Sequence, residues 1–328
     1  MKLLVIGGTR FFGRAAVEFA VGRGHEVTVF HRGEWEPDGF PDVEHLHGDR
    51  TTSLDGVAGR GWDAVLDTWA FVPREVRALA QAAGDAIGHY TYVSSLSVHP
   101  DDLPVGATED TPLLPPAPPE VEEVTDETYG PLKVASEIEA RAAFPGRALV
   151  IRPGYIVGPN DPTDRFTWWV RRAAAGGRML AAGPPDAAIQ GIDARDLGAF
   201  VVERIEAGDT ATYGVVGPSA PATFADVVET ARGVAGADTE VVWADPSFVR
   251  TLGPDHETWF PLWHPDQPGF HAYDASAALA AGLRPRPFAE TVADTLAWDR
   301  GRGLPPLKVG LPPEREPELL EAWERRAG

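Results

Sequence analysis

Lys2-Leu3-Leu4-Val5-Ile6-Gly7-Gly8-Thr9-Arg10-Phe11-Phe12-Gly13 decides the architecture of this chain. A short aliphatic run ends abruptly in two glycines. A helical pattern opens at once, with Phe12, Ala16, Phe19 and Ala20 on one face, and stops near Gly22 and Gly24. Glu26–Phe30 then reads as a second strand. Strand, glycine turn, helix and strand in this order form the unit from which parallel sheets are built.

The rhythm continues outward from that unit. Val43–His47, Ala64–Asp67, His89–Ser94 and Ala148–Arg152 read as strands, with helices near Glu75–Ala83 and Tyr129–Ala143. The expectation is an α/β fold: a doubly wound parallel sheet of Rossmann type over residues 1–155. Beyond that boundary Phe166–Ala175, Ala194–Ala207 and Phe224–Val234 look helical, interleaved with short strands at Ile189–Asp193, Tyr213–Val216 and Glu240–Trp243. Helices at Ala275–Ala281 and Ala289–Asp299 follow, and Glu314–Arg326 reads as an exposed amphipathic tail helix. Residues 156–328 are therefore expected to be mostly a smaller C-terminal α+β substrate domain, with some segments returning to the main sheet. Pro100–Thr125, rich in proline and acid, reads either as a lid or as a plain surface loop.

Composition narrows the partners. The chain has 328 residues and a formal net charge of −20, which argues against nucleic acid or an anionic membrane as the main partner. Leu3–Ile6 is too short for a signal peptide, and no later stretch reaches the roughly 20 apolar residues of a bilayer span. Without cysteine there is no disulfide, thiolate metal site or cysteine nucleophile. The expected location is the cytoplasm. Lys2, Lys133 and Lys308 are the only lysines.

The glycine turn carries chemistry as well as shape. Gly7 through Gly13, between a strand and a helix, lets a pyrophosphate approach the backbone and meet the free N–H groups of the helix start. Phe30-His31-Arg32-Gly33 closes the second strand without an acidic residue to hold the ribose hydroxyls. Arg32 instead suits a 2′-phosphate, so NADP(H) is favoured and NAD(H) remains possible. Gly48-Asp49-Arg50 ends the third strand, where Asp49 and Arg50 can meet the adenine edge.

Tyr129-Gly130-Pro131-Leu132-Lys133 sets a phenol and an ammonium four residues apart, on one face of a helix. A phenol with a pKa near ~10 is a poor base at neutral pH, and a neighbouring cation favours its ionised form. Such a tyrosine can give a proton to a carbonyl oxygen as hydride arrives, or take one from an alcohol. Pro131 suits a first helical turn, so the motif is expected to open its helix. Tyr92-Val93-Ser94-Ser95-Leu96-Ser97 supplies a hydroxyl at a strand end, with Ser95 preferred and Ser94 second.

These residues together resemble the short-chain dehydrogenase/reductase superfamily in its extended NAD-dependent epimerase/dehydratase branch. The resemblance extends through Arg152-Pro153-Gly154-Tyr155-Ile156-Val157-Gly158-Pro159 and Ile192-Asp193-Ala194-Arg195-Asp196-Leu197. It implies a Ser95–Tyr129–Lys133 catalytic triad, with Lys133 also holding the nicotinamide ribose and Pro153-Gly154 against the nicotinamide. It also implies a homodimer through the helices near Glu75–Ala83 and Tyr129–Ala143. There are two departures. Arg10 stands where the usual turn has a glycine, a pattern similar to an atypical subgroup variously called reductases, sugar dehydratases or RNA-binding proteins. The asparagine that often supports the lysine is missing, since the only one is Asn160; Asp67, Thr68 and Trp69 are expected to line the cofactor instead.

Other constellations carry less. No histidine spacing suggests zinc, and His45 and His47 read as a surface pair, so no metal is expected. There is no Gly-x-Ser-x-Gly nucleophile elbow. Trp259–His264 reads equally as pocket lining or core packing, and Arg165, Arg171 and Arg172 read as a solvated helix face rather than a diphosphate grip. The leading expectation is an NAD(P)-dependent oxidoreductase acting on a small carbonyl or alcohol substrate. The alternatives are a nucleotide-sugar epimerase that retains its cofactor and, behind it, a non-catalytic scaffold or RNA-binding relative. Ordinary 4,6-dehydration is disfavoured because Leu96-Ser97, not an acidic pair, follows Ser95.

Overall fold

A computed structural model of the chain describes residues 1–35 and 40–327, which divide into two compact units. The first comprises Met1–Gly154, Ala194–Val216 and Tyr273–Arg284. At its centre are β1 (Lys2–Ile6), β2 (Glu26–His31), β3 (Glu44–His47), β4 (Trp62–Asp67), β5 (Ile87–Val93) and β6 (Ala148–Pro153). With the strand Thr212–Val215 they form one parallel sheet in the order Thr212–Val215, β6, β5, β4, β1, β2, β3. Leu3, Leu4 and Val5 are wholly buried. Strands covered on both faces need continuous aliphatic runs, which is why β1 reads as one.

Helices α1 (Phe11–Gly22), α2 (Pro73–Ala83) and α3 (Asp126–Ala143) belong to this unit. The helix Ala194–Glu206 lies so close to α1 that a Cβ on Gly198 would stand 2.7 Å from the Ala16 nitrogen. α3 begins one turn earlier than the sequence suggests. Thr125 caps it, accepting from the Thr128 N–H at 3.3 Å while its own N–H bonds Thr128 Oγ1 at 2.8 Å. Pro131 therefore lies inside the helix rather than in its first turn.

Residues 100–125 contain no helix or strand but are tied down along their length. The Leu114 N–H donates to Val98 O, the Ala117 N–H donates to Pro131 O, and the Glu109 carboxylate accepts from the Gly214 N–H. Leu103 and Ala107 are buried. These contacts pack the segment against the rest of the unit.

The second unit comprises Tyr155–Asp193, Gly217–Ala272 and Pro285–Gly328. Its helices, including α4 (Arg165–Ala174), enclose a core containing Trp169, Phe224, Phe260 and Trp263. A strand the sequence reading passed over, Arg178–Ala182, pairs in parallel with Glu240–Ala244. Arg171 grips Asp299 through two bonds of 2.6 Å, and Arg172 bonds Glu316 at 2.9 Å, so both hold the fold together. The tail helix Glu316–Ala327 is amphipathic but not free, because Leu319 and Leu320 are buried in that core.

Candidate active site

A cavity of about 400 Å³ opens in the first unit at the carboxyl ends of β1, β2 and β4, where the strand order reverses. Gly7 and Gly8 turn there with φ of +96° and +70°, outside the range that side chains favour. A Cβ on Gly7 would stand 2.2 Å from Thr68 Oγ1. One on Gly13 would stand 2.8 Å from the Gly8 Cα, so the first turn of α1 lies directly on the glycine loop. α1 has no side-chain cap and no acidic residue in its first turn. Its opening amides suit an anionic acceptor from outside the chain.

Gly7, Gly8, Thr9 and Arg10 line the cavity, whereas Phe11, Phe12 and Gly13 do not. Phe12 is core, Gly13 backs the turn, and Phe11 starts the helix at φ +44°. His31 and Arg32 form part of the wall at the end of β2, and Arg32 reaches Glu34 at 2.9 Å. Asp49 also lines it, its carboxylate held below the usual range by hydrogen bonds from the Thr51 N–H and hydroxyl. Thr68 and Trp69 close the β4 side, and Trp69 is 53 % exposed.

Asp67 corrects the sequence expectation. It does not line the cavity but is fully buried, bound by Arg50 through two hydrogen bonds of 2.6 and 2.9 Å. The Tyr90 hydroxyl donates to the same carboxylate at 2.9 Å. Arg50, held in this way, presents its edge to the cavity and keeps a buried Nε with no hydrogen-bond partner. The sequence reading also missed Trp35, which lines the cavity with the Arg10 guanidinium 4.8 Å from its ring centre. Its only signal was an aromatic residue just beyond the second strand.

The inner face of α3 carries Tyr129, Lys133 and Glu137 at four-residue intervals. Lys133 is buried and donates to the carbonyl oxygens of Ala70, at 2.8 Å, and Val93, at 3.0 Å. Three rings surround the ammonium, with centres 4.9 Å away for Phe71, 5.0 Å for Tyr92 and 5.8 Å for Tyr129. Burial pulls its pKa down to about 8, against the opposing pull of the Asp67 and Glu75 carboxylates. Lys133 does not line the cavity itself; Phe71, beside it, packs edge-on against the cavity-lining Trp69 at 4.9 Å.

The two candidate serines differ in their bonding. Ser94 is buried and donates to Glu137 Oε1 at 2.6 Å. Glu137 is itself locked by Arg152, whose guanidinium donates to both carboxylate oxygens at 2.9 and 2.8 Å. Ser95 is half-buried, and its Oγ donates to Ser97 Oγ and accepts from the Ser97 N–H, both at 3.1 Å. Gly130, next to Tyr129, lets α3 press on this segment, since a Cβ there would stand 2.1 Å from Ser97 O. Pro153 and Gly154 lie outside the cavity lining, and a Gly154 Cβ would meet Val216 at 2.8 Å and Leu96 at 3.4 Å.

A seven-stranded parallel sheet with a glycine turn at its switch point defines a dinucleotide-type fold, and solved structures of epimerases and dehydratases share it. The dTDP-glucose 4,6-dehydratase of Bacillus anthracis, solved with NAD, superposes with a TM-score of 0.67 at 18 % identity over 93 % of this chain and 98 % of its own. The UDP-glucose 4-epimerase of Bifidobacterium longum, solved with NAD+ and UDP, gives a TM-score of 0.66 at 16 % identity over 92 % and 99 %. By sequence, the chain is similar to the chloroplast stem-loop binding protein of 41 kDa b of Arabidopsis thaliana, 28 % identical over 192 residues. That match covers 53 % of this chain and 47 % of the relative, so the chain spans about half the length of the curated relative it matches. No family model matches the chain. Among the described residues no helix is long and apolar enough to cross a membrane.

Proposed function

We propose that this chain is an oxidoreductase of the extended short-chain dehydrogenase/reductase kind, binding a nicotinamide dinucleotide in the cavity and acting on a small carbonyl or alcohol substrate. The observation that carries the reading is Lys133, an ammonium enclosed by three rings, one of them Tyr129, and two carbonyl oxygens. Lysine is almost never fully buried without a charged partner, so a buried ammonium beside a phenol asks for a chemical reason.

The residues present fit a dinucleotide. Gly7 and Gly8 leave no room for side chains, Arg50 keeps a buried donor unused, and two of the three N–H donors of Lys133 go to carbonyls. When bound, the nicotinamide supplies the hydride chemistry that no side chain offers. Tyr129 holds the proton that passes to or from the substrate oxygen, and Ser95 Oγ hydrogen-bonds that oxygen. The charge on Lys133 favours negative charge on the phenol oxygen, and Glu137, fixed by Arg152, braces the next turn of the helix.

Arg32 favours NADP(H), because an exposed guanidinium at the end of β2 can exchange Glu34 for a 2′-phosphate. A second reading, a nucleotide-sugar epimerase with retained NAD(P), draws support from the names of the solved structures that share the fold. The name of the Arabidopsis relative suggests nucleic-acid binding, which a net charge of −20 opposes. A second copy of the chain docking on α2 and α3 would cover Ile138, which is 55 % exposed.

Titration of nucleotide-free protein with NADPH and NADH, followed by nicotinamide fluorescence, tests the reading. Reversible NADPH binding that weakens about tenfold or more in Arg32→Glu, a loss of 1.4 kcal/mol or above, supports it. Preference for NADH, or nucleotide released only by unfolding, favours the epimerase. Failure to bind either nucleotide overturns both.

A further inference from the structure

Three imidazoles meet on one face of the sheet edge. β2 and β3 run in parallel with His31 opposite His47 and Val29 opposite His45. Residues two apart on a strand point the same way, so His31, His45 and His47 share that face. One ring nitrogen from each lies within 4.8 Å of the other two. His31 Nε2 and His45 Nδ1 are 2.7 Å apart, and the His31 and His47 ring centres are separated by 4.9 Å. His31 is buried, His45 half-buried and His47 exposed, which leaves a path for an ion from solvent.

We propose that His31, His45 and His47 form a binding site for a divalent transition-metal ion of the kind that prefers imidazole, with Zn2+ as its representative. Three nitrogen donors suit Zn2+, Co2+, Ni2+ or Cu2+ and suit the oxygen-seeking Mg2+ and Ca2+ poorly. Three protein ligands leave a fourth position for water or an anion. With bonds of about 2.0–2.1 Å in tetrahedral geometry, the ligating nitrogens stand about 3.4 Å apart. The closest pair opens slightly and the widest closes, from 2.7 Å and at most 4.8 Å, motions of the size that side-chain torsions supply.

Two hydrogen bonds at His31 are among the interactions that must rearrange. The Gly33 N–H donates to His31 Nδ1 at 3.1 Å, so in the neutral ring the proton sits on Nε2 and points at His45. Ligation through Nε2 returns that proton to solvent, and Nδ1 takes one up, with no net change in charge. The Gly33 N–H then loses its acceptor. Gly33, at φ +76° and against the His47 ring, is a residue whose backbone can turn to follow. The site is built on β2 and β3, and it shares His31 with the wall of the cavity, so metal binding is measured on nucleotide-free protein.

The test uses tag-free protein, stripped with a chelator and dialysed, titrated with Zn2+ by calorimetry and with Co2+ by visible absorption. One Zn2+ per chain is expected, with the intense Co2+ bands of a four-coordinate site. His47→Ala and His45→Ala should each weaken binding by at least the about 10–100-fold that losing even an outer-shell partner costs. His256→Ala, at a half-exposed histidine of the second unit, should change nothing. Since His47 is exposed, its variant decides the matter should His45→Ala fail to fold. Wild-type binding no tighter than that of His47→Ala, or no saturable binding at all, overturns the proposal.

Discussion

The guanidinium of Arg50 and the carboxylate of Asp67 face each other through two parallel hydrogen bonds of 2.6 and 2.9 Å, both side chains shut away from water. A buried charge is tolerable only while its partner remains. Asp67→Asn should cost about 3–5 kcal/mol in urea-induced unfolding. Replacing both, as Arg50→Met with Asp67→Leu, should cost less than either single change. A loss in Asp67→Asn no larger than that of an exposed pair, about 0–1 kcal/mol, would mean that water reaches the pair.

Lys133 makes stability and turnover depend on pH in opposite senses. Its pKa is about 8 in the fold, below its ordinary 10.5. Between those values the unfolded chain keeps the proton and the native chain does not, so stability rises with pH across that window. Carbonyl reduction should instead decline as pH passes about 8, because the cation beside Tyr129 is lost. Lys133→Met should remove the stability slope and leave turnover low throughout; a slope that survives belongs to another group.

Tyr129→Phe keeps the ring that meets Phe71, with centres 6.4 Å apart, and removes only the hydroxyl. The expected outcome is a fall in kcat of about 10²–10⁴ with dinucleotide affinity nearly unchanged. Single-turnover kinetics and fluorescence titration on one preparation separate the two. Wild-type turnover in this variant would take the tyrosine out of the mechanism.

Gly130 marks a contact that no side chain can share. Gly130→Ala puts a Cβ 2.1 Å from Ser97 O, a backbone atom, so α3 must shift away from the Ser95 segment. A stability loss of about 1–3 kcal/mol and a reduced kcat should follow. Gly233→Ala, in the helix Phe224–Ala235 with open space around it, should stabilise by about 0.4–1 kcal/mol.

What was legible in the sequence was what local chemistry dictates. β1 and its glycine turn were readable because strands buried on both faces leave unbroken aliphatic runs, and Tyr129 and Lys133 because helical spacing alone puts them on one face. The start of α3 was misplaced because Thr125 and Thr128 cap it without the acidic residue that usually marks such a box. Arg178–Ala182 escaped notice because Met, Leu and Ala announce a strand poorly. Asp67 looked like a ligand-facing carboxylate, but Arg50 and the Tyr90 hydroxyl both bind it in the interior. His31 joins His45 and His47 through strand register, which no single strand reveals.

The scarcity of lysine has a practical consequence. Lys2 and Lys308 are exposed and Lys133 is buried, in a chain whose other basic side chains are arginine and histidine. Amine-directed reagents therefore find almost nothing to modify, and the one concealed amine lies at the heart of the proposed chemistry. Reductive methylation with isotopic carbon would label Lys2, Lys308 and the terminal amine in the folded chain and reach Lys133 only when the chain unfolds.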